Sequence, residues 1–498
     1  MRFFFLLLLS WSLEASTLQL AISSNPARIN PLLATDSSSA QITSYLFNGL
    51  VKYDKDSKEI IADLAQKFYF LDDTTLIFEL KHGVKWHDGV AFSAEDVLFT
   101  YEILTSDKIS SPYSAGFRFI KSVTVLGKYK LKVKYKKPYF KALQIWMIGI
   151  LPKHILKDES NLMNSKFNRH PIGTGAYKLE QLVYSQDIIL SAFDEYFEGR
   201  AKIDKIRFHI ISDPTTRFLM LKSSKLDMGN VEPMAYERQL DPAFLQKYKI
   251  YEEISHFYTY LGFNLRLKKF QDPDVRLALS LAIDREELVA LLFFKHAKVC
   301  TGPFLPGSLA FNAKIKAPSQ DIQEAIRLLK KAGYDEKNPL RLEIATSNAT
   351  SIRPYAAEIL QYQLKRVGVV VTLRVMEWQA FLNMVVFPHK FDTVLLGWGL
   401  SPIPDPYVFW HKDSDKKGGF NLVGYNNAEV NKMIEESQSI IDTKILAKNW
   451  QKIFQLITDD NPYLFLYIPN SITVVNKDIK NIKPALGGIW HNYIEWEK

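Results

Sequence analysis

The stretch LRLEIATSNATSIRPYAAEILQYQLKRVGVVVTLRVMEW, residues 340–378, decides the fold class. LRLEIATS, from Leu340, reads as a strand. IRPYAAEILQYQLKRVG reads as a helix stopped by Gly368, the residue type that takes the left-handed conformation after a helix end. VVVTLRVMEW follows at once as a second strand. Strand–helix–strand is the building block of open α/β sheets. Elsewhere DIQEAIRLLKKAGYD (321–335) is an amphipathic helix closed by Gly333, and SLAIDREELVALLF carries a helix-start signal, Asp284 with Glu287 three residues on.

At 498 residues the chain exceeds what one hydrophobic core organises, so two or more lobes are expected. No internal repeat, low-complexity tract or long Gly/Ser linker separates them. The chain is therefore expected to cross between lobes on structured segments. GKYKLKVKYKK (127–137) places Lys128, Lys130, Lys132, Lys134 and Lys136 on one face of a strand. Tyr129, Leu131, Val133 and Tyr135 then face a core. The run LQIWMIGIL (143–151) is too short to span a bilayer and is expected in a buried strand or a lobe contact.

WHDGVAFSAEDVLFT (86–100) offers a histidine, a serine and acids that resemble catalytic parts. Asp88-Gly89 is a turn dipeptide, however, and Ser93 with Asp96 is a capping box ahead of an apolar helix. The polar groups have local structural work, so the stretch is read as punctuation of the fold. Among nucleophile-elbow, zinc-binding, phosphate-loop and paired-cysteine motifs, none is present. GTGAYK from Gly173 lacks the length and the lysine–hydroxyl pair of a phosphate loop. The ten histidines show no ligand cluster, so neither metal nor cofactor is expected.

MRFFFLLLLSWSLEAS matches a secretory signal: Arg2, an apolar run Phe3–Leu9, and small residues at Ala15 and Ser16. Cleavage is expected after Ala15, leaving a soluble, exported chain whose lack of a nearby cysteine removes a lipid anchor. Cys300 stands alone, so no internal disulfide forms. The net charge of +9 survives removal of residues 1–15, which deletes Arg2 and Glu14. No nucleic-acid motif accompanies that charge.

Five stretches in order carry a family pattern: INPLLATDSSSAQITSYLFNGLVKYD, LKHGVKWHDGVAFSAEDVLFTYE, HPIGTGAYKLEQ, YLGFNLRLKKFQDPDVRLALSLAIDREELV and GYNNAEVNKMIEES. Together they resemble the extracellular solute-binding proteins that serve peptide, oligopeptide and nickel ABC importers. The resemblance implies a bilobal α/β fold, the type II periplasmic binding protein fold, with an extra subdomain on the first lobe. It assigns residues 1–15 to the signal peptide, and 16–49, 170–263 and 475–498 to the first lobe. The extra subdomain takes 50–169 and the second lobe 264–474, with hinge crossovers near Asn264 and Asn476. Ligand contacts to both lobes would favour a closed state that permease subunits in the inner membrane recognise.

By the same resemblance, ligand contacts are expected from Ser37, from Tyr260 and Asn264 at the first crossover, and from Trp378, Trp398 and Tyr467. Where peptide-binding relatives place an aspartate three residues after the cleft tryptophan, to meet the peptide's α-ammonium, this chain has Ser401. Asp405, in a Pro-Asp-Pro turn, substitutes for it or simply caps the next segment. The implied protein is a monomeric periplasmic receptor that binds peptides and has no enzymatic activity. Two alternatives stay open: the same receptor for a nickel complex, sugar or other small solute, and a secreted hydrolase using Asp405.

Overall fold

The computed structural model describes residues 15–498 apart from 58, 402, 417, 418, 486 and 487. The expected signal peptide thus lies almost wholly outside the described residues.

The strand–helix–strand unit forms as Arg341–Ser347, Ile352–Lys365 and Val370–Met376. Its strands run parallel, in register from Arg341↔Val370 to Ser347↔Met376. The helix buries Ala356, Ala357, Leu360 and Leu364 against the sheet, and Gly368 has φ +82°. The second strand stops two residues short of Trp378, which instead opens a short helix, Trp378–Phe381. Strand Arg341–Ser347 also pairs in parallel with Thr393–Gly399. That strand is followed in the sheet by Phe257–Phe263 and then by the long strand Tyr463–Asn476.

The 14-residue strand Tyr463–Asn476 joins the lobes. Its first half pairs with Phe257–Phe263 and Ala297–Val299, and its second half with Tyr248–Ile254 and Met228–Asn230. Pairing passes from one set of neighbours to the other at residues 254–257 and 469–470. Strand Phe257–Phe263 is covered on both faces, sending Leu261 and Phe263 into one core of the second lobe and Tyr258 and Tyr260 into another.

The first lobe is a four-stranded sheet, Thr17–Ile22 parallel to Lys205–Ile210, then Asp187–Ala192 and Tyr177–Val183 antiparallel. The segment inserted between its strands Thr17–Ile22 and Tyr177–Val183 builds an antiparallel sheet from Ala65–Asp72, Thr75–Leu80, Lys130–Tyr135 and Ile120–Gly127, contacted by helix Ala94–Thr105. One continuous core runs from Leu18 and Phe208 through Trp86, Leu131 and Trp146 to Trp496, so subdomain and lobe are fused. Leu131, Val133 and Tyr135 point into it, while Lys130 pairs with Glu79 at 2.8 Å on the outer face. The run 143–151 is a lobe contact: the Leu50 and Ile150 amides donate to Trp146 and Asn48 carbonyls at 2.8 and 3.0 Å.

The 86–100 stretch is the joint between the two. The Ser93 amide donates to Asp96 Oδ2 at 2.9 Å at the helix start. His87 Nδ1 accepts from the Gly173 amide at 3.1 Å, and Nε2–H donates to the Gly175 carbonyl at 3.0 Å. Burial holds this imidazole neutral, with its pKa lowered to about 4. Gly173 is glycine because a Cβ there would sit 1.7 Å from the Leu46 carbonyl oxygen.

Candidate functional site: the cleft between the lobes

Helix Ser37–Leu46 is the spine of the cleft. Asp36 caps it, accepting from the Ser39 amide at 2.8 Å. Along the helix lie three cavities that share walls. Ser37, Ser38 and Gln41 line the largest, about 1030 Å³. Gln41 and Ser44 line a middle one of about 710 Å³. Ser44 and Phe47 reach a third of about 720 Å³. The result is a groove rather than one closed pocket.

Both lobes wall the largest cavity. Arg217 and Met234 come from the first; Leu291, Ile352 and Tyr355 come from the second; Asn470 and Ser471 lie on the crossing strand. Met234, Leu291 and Tyr355 are 53%, 58% and 57% exposed, so the rim offers apolar surface from both sides. In the middle cavity the carboxylates are already answered: Lys52 lies 3.3 Å from Asp63 and 2.8 Å from Glu198. The third cavity brings the subdomain against the second lobe. There Lys141 Nζ lies 3.8 Å from Asp405 Oδ2, and the Arg118 guanidinium lies 4.9 Å from the Tyr407 ring centre. Burial pushes the Lys141 ammonium below its ordinary pKa, with Asp405 acting against that push.

The expected site residues separate into groups. Ser37 and Asp405 stand on cavity walls. Asp405 also caps its helix, accepting from the Tyr407 amide at 3.0 Å, and accepts from Gln438 Nε2 at 3.3 Å. Tyr260 and Trp398 form an aromatic stack with Tyr463, at 6.1 Å and 3.8 Å between ring centres. Trp398 reaches Phe420, a wall of the third cavity, at 5.5 Å. Ser401 turns its hydroxyl back to the Ile403 carbonyl at 2.7 Å. Asn264 is buried in the second lobe, donating to the Phe391 carbonyl at 2.9 Å. Tyr467 is likewise buried and packs on Phe293 at 4.7 Å. Neither Asn264 nor Tyr467 lines any of these cavities; each ties one piece of the second lobe to the next.

Trp378 leads to a residue the sequence reading passed over. The Arg353 guanidinium lies 5.7 Å from the Trp378 ring centre and 6.0 Å from that of Phe257. Its hydrogen bond is a long one, 3.5 Å to Ser347 Oγ, and no carboxylate among the described residues pairs with it. Burial lowers its pKa, and Tyr467 and Tyr260 act the other way. The signal was present in the sequence: an arginine in the first turn of a helix opposes the helix dipole.

Two α/β lobes joined by crossing strands around a groove define a cleft-type binding protein. Residues 59–420 match the model of the bacterial extracellular solute-binding proteins, family 5, and the chain belongs to that family. It is 32% identical to the oligopeptide-binding protein AppA of Bacillus subtilis over 477 residues, 92% of this chain and 87% of that protein. The structure of that protein with a nonapeptide superposes with a TM-score of 0.85 at 30% identity, covering 97% of this chain and 99% of the other. NikZ of Campylobacter jejuni, solved with Ni(L-His), superposes with a TM-score of 0.86 at 29% identity, covering 97% and 100%. Membership makes the chain a solute receptor rather than an enzyme, and the hydrolase reading falls with it. Among the described residues no helix is long and apolar enough to cross a membrane.

Proposed function

We propose that this chain is the periplasmic receptor of an ABC importer, that it binds peptides in the interlobe groove, and that lobe closure presents the loaded form to permease subunits. The groove along helix Ser37–Leu46 carries the reading: cavities that share walls suit an extended chain better than a compact solute. A relative of 32% identity named for oligopeptide binding, and its nonapeptide complex, point the same way. Along the groove Ser37 and Gln41 offer polar contacts and the Tyr260–Trp398 stack backs an apolar wall; Arg217 on the wall of the largest cavity and Arg353 beside Trp378 are cations without an ion-pair partner among the described residues, open to a peptide carboxylate. The N-terminal segment through Ala15 is removed on export, and the mature receptor acts as a monomer.

Native mass spectrometry of the gently purified mature protein, with fragmentation of what it releases, tests this. A ladder of peptide masses is expected. A single metal-bearing mass overturns the peptide reading in favour of a nickel chelate. One observation favours that second reading: His491 lines the middle cavity with its imidazole held by burial below its ordinary pKa, a form that binds metals.

A further inference from the structure

Peptides bound through their termini bring a primary ammonium into the groove, and a desolvated ammonium needs an anion. The carboxylates nearest the obvious walls are spent. Asp405 serves Lys141, Tyr407 and Gln438; Asp63 and Glu198 serve Lys52. Glu232 and Glu358, on the largest cavity, are exposed to water. Glu253 differs from all of these. It is half-buried on strand Tyr248–Ile254, one residue before the crossing to the second lobe. No hydrogen bond or ion pair reaches it among the described residues, and burial raises its pKa.

Its surroundings suit an ammonium. Glu253 lines a cavity of about 670 Å³ with Ser471, Thr473, His256, Trp490 and the water-exposed Asp56, and no lysine or arginine among the described residues is on that wall. Glu253 and Ser471 are directly paired across the crossing strands, so their side chains share a face. Thr473 Oγ1 donates to Asn230 Oδ1 at 2.9 Å, which leaves its lone pairs for an incoming N–H. Trp490 also lines the middle cavity, which makes the two spaces neighbours within the groove. The Leu400 amide donates to the His256 carbonyl at 2.8 Å, which sets this pocket beside the strand end carrying Trp398 and Ser401.

The geometry points to Glu253 as the residue that selects a primary ammonium in the ligand, the peptide's amino terminus, with Ser471 and Thr473 as further acceptors and Trp490 as the wall. The assignment rests on the peptide reading of the groove. It makes the crossing strand a sensor: the ligand's charge is engaged on the element that moves when the lobes close.

The test uses the mature wild-type chain and Glu253→Gln, with mixed-sequence libraries from dipeptides to nonapeptides, free at the amino terminus or N-acetylated. Gln is isosteric and Glu253 has no partner to lose, so the variant should melt like the wild type; Glu253→Asp, which keeps the charge, checks this independently. Acetylation is expected to weaken wild-type binding about tenfold or more, and Glu253→Gln binding less than about twofold. Glu253→Asp should keep most of the preference. A wild type indifferent to acetylation, or a Glu253→Gln variant that discriminates as the wild type does, overturns the assignment while peptide binding stands. If neither library binds the wild type, the peptide reading falls and takes this assignment with it.

Discussion

His296 of the second lobe lies 2.7 Å, Nε2 to Oε1, from Glu237 on a helix of the first. Its other nitrogen, Nδ1, lies 2.8 Å from Glu252 Oε1 on the crossing strand, which Asn470 also engages. Two carboxylates accepting from both ring nitrogens require the imidazolium. The ring therefore ties the lobes together beside the largest cavity, with the Tyr236 ring packed against it.

Burial works against charge on His296, but the bonds to Glu237 and Glu252 outweigh it and hold the pKa above its ordinary value. A raised pKa in the folded chain means stability fully present below the ordinary histidine value, about 6.5, and lost as pH rises through the raised one. The melting temperature should therefore fall between pH 6 and pH 9. In His296→Gln that fall should be smaller. An identical slope in the variant would place the pH dependence elsewhere.

Asp405→Asn should destabilise the chain by about 1–3 kcal/mol, because it leaves Lys141, 17% exposed at its side chain, without a countercharge. Adding Lys141→Met should recover part of the loss, read from urea midpoints as a double-mutant cycle. Strict additivity of the two changes would show that the pair does not interact.

Gly173→Ala should cost about 3 kcal/mol or prevent folding, since the new Cβ would fall on the Leu46 carbonyl. Gly199→Ala, by contrast, meets no atom within 4 Å and bears only the strain of φ +97°. Comparison of the two unfolding midpoints separates steric contact from backbone conformation.

Arg353→Gln should weaken peptide binding about tenfold to a hundredfold while leaving the melting temperature nearly unchanged. Amidating the peptide's carboxyl terminus should produce the same loss in the wild type and little further loss in the variant. Titration calorimetry with both peptide forms checks the pairing.

Local chemistry was readable from the chain: alternation for Leu131 and Val133, caps at Asp284 and Ser93, the stop at Gly368. Those patterns involve neighbours a few residues apart, whose geometry the backbone dictates without reference to the rest of the fold. The family motifs extended that reading to two lobes and a groove. Which polar residue remained free for a ligand was a different kind of question. Asn264 and Asp405 look as available in sequence as Arg353 and Glu253. Packing commits the first two, to the Phe391 carbonyl and to Lys141, and leaves the second two without charged partners among the described residues. That division depends on contacts between residues more than 100 positions apart, such as Asn264 with Phe391 and Lys141 with Asp405, and only the folded tertiary structure makes them.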